Sequence, residues 1–271
     1  MNPRFLGITT SHEWLGLCLS ETDRQGKAAL KGRFFQKAMN KHSDWIIPRI
    51  HSLLHRAGWS PWDLGAIAVD VGPGSFTGVR IGLAVARTLG QSLNVPLIPI
   101  PSLDLMAAAF TQARPSLSLA CVSRAIPGEV YLGLYRFELS QEKPPPLFSR
   151  VRKGHVPLFQ DWLWFPAQNG LVLRRLAPLA WMSHEEASRR MAVLRKGGAS
   201  VIEIGRDWKT GPAAPEESIP TADALGGLAP WIRSRGGHRI YRDVVPLYLQ
   251  PSWAERRFEP APVALRLKTA R

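Results

Sequence analysis

Cysteine is scarce in this chain, with Cys18 and Cys121 the two examples in 271 residues. Both lie in apolar, strand-like stretches, and two thiols cannot build a metal cage or a disulfide framework. They read as buried free cysteines of a reducing compartment. Long apolar runs are missing too: none approaches the ~20 residues that span a bilayer, and the N-terminal stretch has neither a long apolar core nor a small-residue cleavage site. The expectation is a cytoplasmic protein, neither secreted nor membrane-inserted. Acidic residues are in short supply, 21 against 35 basic, for a formal net charge of +14. The basic residues are spread thinly. They are densest at Arg150 to Lys153 and beyond Arg233, where Arg256-Arg257 and Arg266 to Arg271 either touch phosphate or keep a solvated end soluble. Dispersed charge of this kind supplies weak, salt-sensitive attraction and specifies no nucleic-acid site by itself. No Gly-Lys-Ser/Thr follows the glycine-rich turn, which excludes a Walker A loop, and its glycine spacing is one residue too long for a dinucleotide fingerprint. No Ser, His and acid trio is set out by spacing, so nothing points to peptide hydrolysis.

What the chain has is 45% hydrophobic content over a length that fills one or two cores, and two domains are expected. Its most informative stretch is Gly72-Pro73-Gly74-Ser75-Phe76-Thr77-Gly78-Val79-Arg80, which joins the apolar run Ala66 to Val71, a buried strand broken only by Asp70, to a helix. Gly72, Gly74 and Gly78 can take positive φ, and Ser75 and Thr77 offer capping hydroxyls. Such a turn either cradles an anion with its free N–H groups or simply lets strand and helix pack closely. Gly72, Gly74, Ser75, Phe76, Thr77 and Gly78 are therefore candidate anion contacts. The helix from Gly78 to about Leu93 repeats small residues at Gly78, Gly82, Ala86 and Gly90, and its other faces carry Val79, Ile81, Leu83, Val85 and Leu89. Three helical glycines cost about 1 kcal/mol each relative to alanine, so close packing must offset them. A partner helix is the expected cover, and a homodimer through the same face is a further reading.

Phe5 to Ser20 alternates as an N-terminal hairpin, with Leu15, Leu17 and Leu19 on one face and Gly16 and Cys18 on the other. Ser43 is placed to cap a helix reaching about Gly58, with Ile46, Ile50, Leu53, Leu54 and Ala57 on its apolar side and Pro48 near its first turn. Val95 to Ile100 is another short strand. Leu117 to Val122 and Val130 to Phe137 flank Ile126-Pro127-Gly128 as a second hairpin. Pro144-Pro145-Pro146 breaks the pattern, and Gly154 to Gly205 is rich in tryptophan with weak periodicity. Thr221 is placed to cap a helix running to about Arg233. His51 and His55 share one helix face at i and i+4, but no glutamate follows the first histidine and no third ligand is evident, so a surface or interface role outweighs metal binding.

Gly72 to Arg80, followed by Ile81-Gly82 and Ala84 to Arg87, resembles the signature of the TsaB family, the dimerization subunit of the bacterial tRNA threonylcarbamoyladenosine machinery. His42-Ser43 with Ile46, Ile47 and Pro48 resembles that family's helix start. Gly128-Glu129-Val130-Tyr131 resembles its second-domain hairpin, and Pro246-Leu247-Tyr248-Leu249 resembles its C-terminal element, with Gln250 in place of an arginine. The similarity covers most of the chain and is weak between about Lys143 and Asp223. It implies an α/β protein of the actin-like ATPase (ribonuclease H-like) fold with two similar mixed-sheet domains: residues 1–101 with a returning helix at about 220–234, a more divergent domain over 102–219, and a tail over 235–271.

The resemblance also implies a noncatalytic subunit with no cofactor and no metal. Its expected partners are a TsaD-type catalytic subunit and a TsaE-type ATPase, with tRNA contacted indirectly. The implied interface is His42, Ile50, Arg80, Ile81, Gly82, Val85, Ala86, Leu89 and Gly90. Departures from the fold's catalytic members agree: Thr9 stands before Thr10-Ser11 where they carry an aspartate, and Ser102 and Met106 stand where they place a pair of metal-binding histidines. Arg124-Ala125-Ile126-Pro127 replaces the family's Asp-Ala-Arg, which leaves Glu129 as the polar candidate there, with pairing to Arg124 across the turn as its plain structural role. The competing class is a residual nucleotide-binding, kinase-like enzyme using the glycine turn for phosphate.

Overall fold

The computed structural model describes residues 4–23, 28–38, 40–110, 113–139, 164–166, 171–196, 200–204 and 222–250. The Pro144 to Pro146 break, the basic clusters at 150–153 and 256–271, and the Thr221 cap lie outside them. In strands β1 (Arg4–Thr9) and β2 (Trp14–Thr22), successive side chains point to opposite faces. Leu6, Ile8, Leu15, Leu17 and Leu19 enter one core, whereas Phe5 and Cys18 enter another. A third strand that the sequence pattern did not reveal, β3 (Ala28–Lys37), pairs antiparallel with β2. It is mostly exposed, and its polar composition reflects that edge position.

The helix α1 (His42–Arg56) follows, then β4 (Ala66–Asp70), α2 (Phe76–Ser92) and β5 (Leu97–Ile100). The first sheet runs β3-β2-β1-β4-β5, with β1, β4 and β5 parallel. Every residue of β4 is buried, as a parallel strand covered on both faces should be. Lys41, not Ser43, occupies the N-cap of α1, without a side-chain cap bond; Ser43 sits inside the first turn and its hydroxyl donates to Asp44 at 3.2 Å.

A short buried helix, α3 (Ser102–Ala109), leads into the hairpin β6 (Ser118–Arg124) and β7 (Glu129–Leu139). Gly128 at φ 84° and the Glu129 N–H to Ile126 carbonyl bond of 2.9 Å give the expected turn. The tryptophan-rich stretch supplies β8 (Trp164–Pro166), β9 (Leu171–Arg175), β10 (Ala180–Ser183), helix α4 (His184–Lys196) and β11 (Val201–Ile204). The second sheet is ordered β11-β6-β7-β9-β8, with β10 beside β7. Helix α5 (Ala222–Ser234) returns to lie across β1, β2 and β3.

The layers follow from which side chains share a core. Helices α1 and α2 cover one face of the first sheet. Helices α3 and α5 fill the space between the two sheets, and α4 covers the outer face of the second. Residues 239–247 are bound rather than free: Arg239 exchanges two backbone bonds of 2.8 Å with Leu97, and Leu247 donates to the Val71 carbonyl at 2.8 Å.

Candidate functional site

Asp70 ends β4 at the mouth of the glycine turn and is almost fully buried. Its Oδ2 accepts from the hydroxyls of Thr9 at 2.7 Å and Ser11 at 2.5 Å; its Oδ1 accepts from the Ser102 hydroxyl at 2.6 Å and the Gly72 N–H at 2.9 Å. Four donors from the β1 end, the turn and the start of α3 meet on one carboxylate. Thr9 and Ser102 are thus both turned onto Asp70, while Met106 is buried in the core between the sheets. The sequence showed Asp70 only as a polar interruption of an apolar run; its partners lie up to 61 residues away, and no local pattern links them.

The turn is closed in the same way. Of the turn's three glycines, Gly72 alone takes positive φ, at 92°. Gly74 and Gly78 are required for a different reason: a Cβ at either would collide with a backbone carbonyl, of Ser11 and Thr10 respectively. Ser75 is the N-cap of α2, its Oγ accepting from the Gly78 N–H at 3.2 Å, while its own N–H donates to the Ser11 carbonyl at 2.6 Å. With the Gly72 N–H on Asp70 and the Val79 N–H on the Ser75 carbonyl, these four donors are engaged within the chain and are not held out to an anion. Phe76 and Thr77 are exposed on the first turn of α2.

The small-residue stripe faces inward, which corrects the expectation of a partner helix. Thr10 Oγ1 donates to the Gly78 carbonyl at 2.7 Å, and it fills the space where a Cβ of Gly82 would stand. Ala86 is fully buried, and a Cβ on Gly90 would come within 2.9 Å of Leu97. His42 and Ile50 are likewise buried in this chain, and among the described residues His42 Nε2 has no hydrogen-bond partner. Of the expected interface residues, Arg80 is exposed and Ile81, Val85 and Leu89 are half-buried. The outward side of α2 also bears Thr77, Ala84 and Thr88, and that of α1 bears Ile47, 50% exposed. None of these four was among the interface residues expected from sequence, because the glycine stripe was the stronger helical signal. Arg80 lies 3.6 Å from the Phe76 ring centroid and donates to the Tyr248 hydroxyl at 3.0 Å, joining the C-terminal element to α2.

Between the sheets, Ser11 donates to Asp70, so its oxygen accepts from His12 Nδ1 at 2.8 Å, and His12 Nε2 shares a hydrogen bond of 3.2 Å with the Ser123 hydroxyl. This chain of bonds reaches the end of β6, just before the substituted Arg124 to Pro127 stretch. Glu129 accepts the Trp181 indole N–H at 2.7 Å rather than pairing with Arg124. Tyr131 donates to Gln250 at 3.0 Å. Deeper in, Asp104 of α3 is met by the Tyr135 hydroxyl at 2.7 Å and by the guanidinium of the fully buried Arg175. Burial pushes the Arg175 guanidinium down, but Asp104 and Tyr135 together outweigh it and hold it above its ordinary value. His51 and His55 stack with ring centroids 6.5 Å apart on the exposed side of α1, and among the described residues no third ligand joins them.

The family model described as TsaD, tRNA N6-adenosine threonylcarbamoyltransferase, matches residues 22–143. A Bacillus subtilis protein named tRNA threonylcarbamoyladenosine biosynthesis protein TsaB is 29% identical over 69% of this chain and 74% of its own length. Its namesake from Escherichia coli is 33% identical over 52% of this chain and 68% of its own length. The chain belongs to the TsaB family. The fold of this TsaB-family member agrees: YeaZ from Pseudomonas aeruginosa, at 23% identity, superposes over 91% of this chain and 99% of that one with a TM-score of 0.64. A Pseudomonas aeruginosa structure described as similar to peptidase YeaZ gives 24% identity over the same shares with a TM-score of 0.67. In this TsaB-family chain, then, the glycine turn is the lock between β1, β4 and α2.

Proposed function

We propose that the chain is a noncatalytic subunit that pairs, through the outer faces of α1 and α2, with a TsaD-type catalytic subunit. It thereby supports transfer of a threonylcarbamoyl group to N6 of the tRNA adenosine beside the anticodon, with a TsaE-type ATPase as a further partner. The observation that carries the noncatalytic part is Asp70: its two oxygens already accept four internal hydrogen bonds, so the carboxylate nearest the glycine turn has no free lone pair directed at a nucleotide or its cation. The role in tRNA modification follows from family membership. A subunit of this kind acts by binding one state of its partner more tightly than another and so shifting the population.

The test is reconstitution. Modification of tRNA by the TsaD-type subunit should require this chain, and calorimetry of the isolated chain with Mg-ATP should show no turnover. Turnover by the chain alone would return the kinase-like reading.

A further inference from the structure

The parallel strands β1, β4 and β5 all begin at the end of the first sheet opposite Asp70 and the glycine turn. Three segments meet there. The turn Pro61–Asp63 feeds β4 and is tied to the start of β1 by Arg4 and Asp63 at 3.0 Å. The end of α5 reaches β1, with the Arg233 guanidinium 5.6 Å from the Phe5 ring centroid. Beyond α5, Arg239 is bridged to Leu97 at the start of β5. This end is basic and aromatic. Arg233, Arg235, Arg239 and Arg242 fall within ten residues that hold no acid. Trp62, 72% exposed, is the most exposed large apolar side chain among the described residues.

Arg233 stands in the last turn of α5, where a cation offsets the helix dipole, but Arg235 and Arg242 lie past it. The acids at this end are engaged with other groups: Asp63 pairs with Arg4, Glu21 pairs with Lys31, the Asp243 charge acts on Arg239, and Asp23 is not free either. Among the described residues Arg235 and Arg242 enter no ion pair. Arg235 lies 4.3 Å from the Trp231 ring centroid, a contact that holds it without neutralising it. Its backbone is fixed too, since the Gly236 and Gly237 N–H groups close the helix end on the Arg233 and Ile232 carbonyls at 3.0 and 2.9 Å.

We infer that this end of the first sheet binds RNA: Arg235 and Arg242 contact phosphates of a single-stranded segment, and an unpaired base stacks on Trp62. Cations with no acid beside them attract the backbone, and an exposed indole offers its face to any base. The contact is direct, unlike the indirect contact that the family resemblance implies. That the strand is tRNA rests on the proposed function; the basic, aromatic end stands without it.

Fluorescence anisotropy of a labelled tRNA transcript with the full chain, at about 50 to 200 mM salt, tests this. Arg235→Gln with Arg242→Gln should weaken binding at least fivefold. It should also flatten the dependence of log affinity on log salt by about 1 to 2, since each phosphate contact contributes about 0.7 to 0.9. Trp62→Ala should weaken binding about fivefold or more at unchanged salt dependence, as the loss of one stacked base does. Removing two cations from α4, Arg189→Gln with Arg190→Gln, should change it less than about twofold, because both already pair with Glu186. All three variants should keep the parent's circular dichroism and its pairing with the TsaD-type subunit.

No binding by the parent, or binding unchanged in either the arginine or the Trp62 variant, overturns the inference; the proposed function stands if the complex still modifies tRNA. An equal loss in the α4 variant also overturns it, because the attraction then comes from net charge and not from this end. Binding to anionic phospholipid vesicles that depends on these residues, with tRNA binding that does not, would assign the end to a membrane and overturn the inference as well. A parent chain that binds tRNA through these residues but never supports its modification overturns the proposed function and leaves the inference standing.

Discussion

Asp70 accepts bonds from Thr9, Ser11, Gly72 and Ser102, tying β1, the turn and α3 to the end of β4. An asparagine there would turn an NH2 toward groups that already donate. Asp70→Asn should lower the unfolding free energy by about 2–4 kcal/mol, since buried donors left without an acceptor cost about 1–3 kcal/mol each. A urea titration reads this as a lower midpoint at unchanged slope, and an unchanged midpoint would show that the network is not structural.

The two thiols carry a second prediction at this scale. Burial, then the nearby Asp223 charge, pushes Cys18 from 9.0 up to about 12, and burial holds Cys121 well above its ordinary value. Above pH 9 the unfolded chain releases thiol protons that the folded chain keeps, so stability is full below pH 9 and falls as pH rises towards 12, by about 1.4 kcal/mol per pH unit for each thiol. Urea midpoints measured from pH 8 to pH 11 should fall less steeply in the variant with Cys18→Ala and Cys121→Ala. Native protein at pH 8 should leave both thiols unlabelled by a thiol reagent. Tyr135, pushed well up by burial and by Asp104, adds to the alkaline slope in parent and variant alike.

At the scale of the element, α2 presents two small-residue tracks, one to its own sheet and one to the outside. The inner track is held by backbone: a Cβ on Gly78 would meet the Thr10 carbonyl, which no rotamer change can move aside. Gly78→Ala should destabilise the chain by about 1–3 kcal/mol, because overpacking exceeds the helix-propensity gain of about 1 kcal/mol. Ala84 is exposed on the outer track, and Ala84→Leu should leave the unfolding midpoint within about 0.5 kcal/mol of the parent. If Gly78→Ala proves neutral by urea titration, the close approach of β1 and α2 is not as described.

The glycine turn, its Ser75 cap, the leucine alternation in β2 and the Gly128 hairpin were all legible in the sequence, because each depends on residues a few positions apart. The direction in which the Gly78, Gly82, Ala86 and Gly90 track faces was not. Small residues at every fourth position permit close approach equally well by a neighbouring strand or by a foreign helix. The Asp70 and Asp104 networks were illegible for another reason: each joins single polar residues on distant elements, and a lone Asp, Tyr or Arg in an apolar run carries no mark of its partner. Edge strand β3 escaped because its exposed faces dilute the alternation.

For the whole molecule, two mixed sheets enclose α3 and α5, and α1 and α2 lie outermost on the first sheet. The interior is stitched by the Asp70 and Asp104 networks, with His12 to Ser123 and Tyr131 to Gln250 as ties across the molecule. A chain built this way presents the outer faces of α1 and α2 as a preformed surface, which would limit the ordering cost of the pairing proposed above. The measurement that bears most directly on that account is light scattering of the chain with its TsaD-type subunit, comparing the parent with Ala84→Leu. The account predicts a one-to-one complex for the parent and none for Ala84→Leu, with the variant itself still folded. A parent chain that ignores the catalytic subunit, or an Ala84→Leu chain that binds it as well as the parent does, would contradict it.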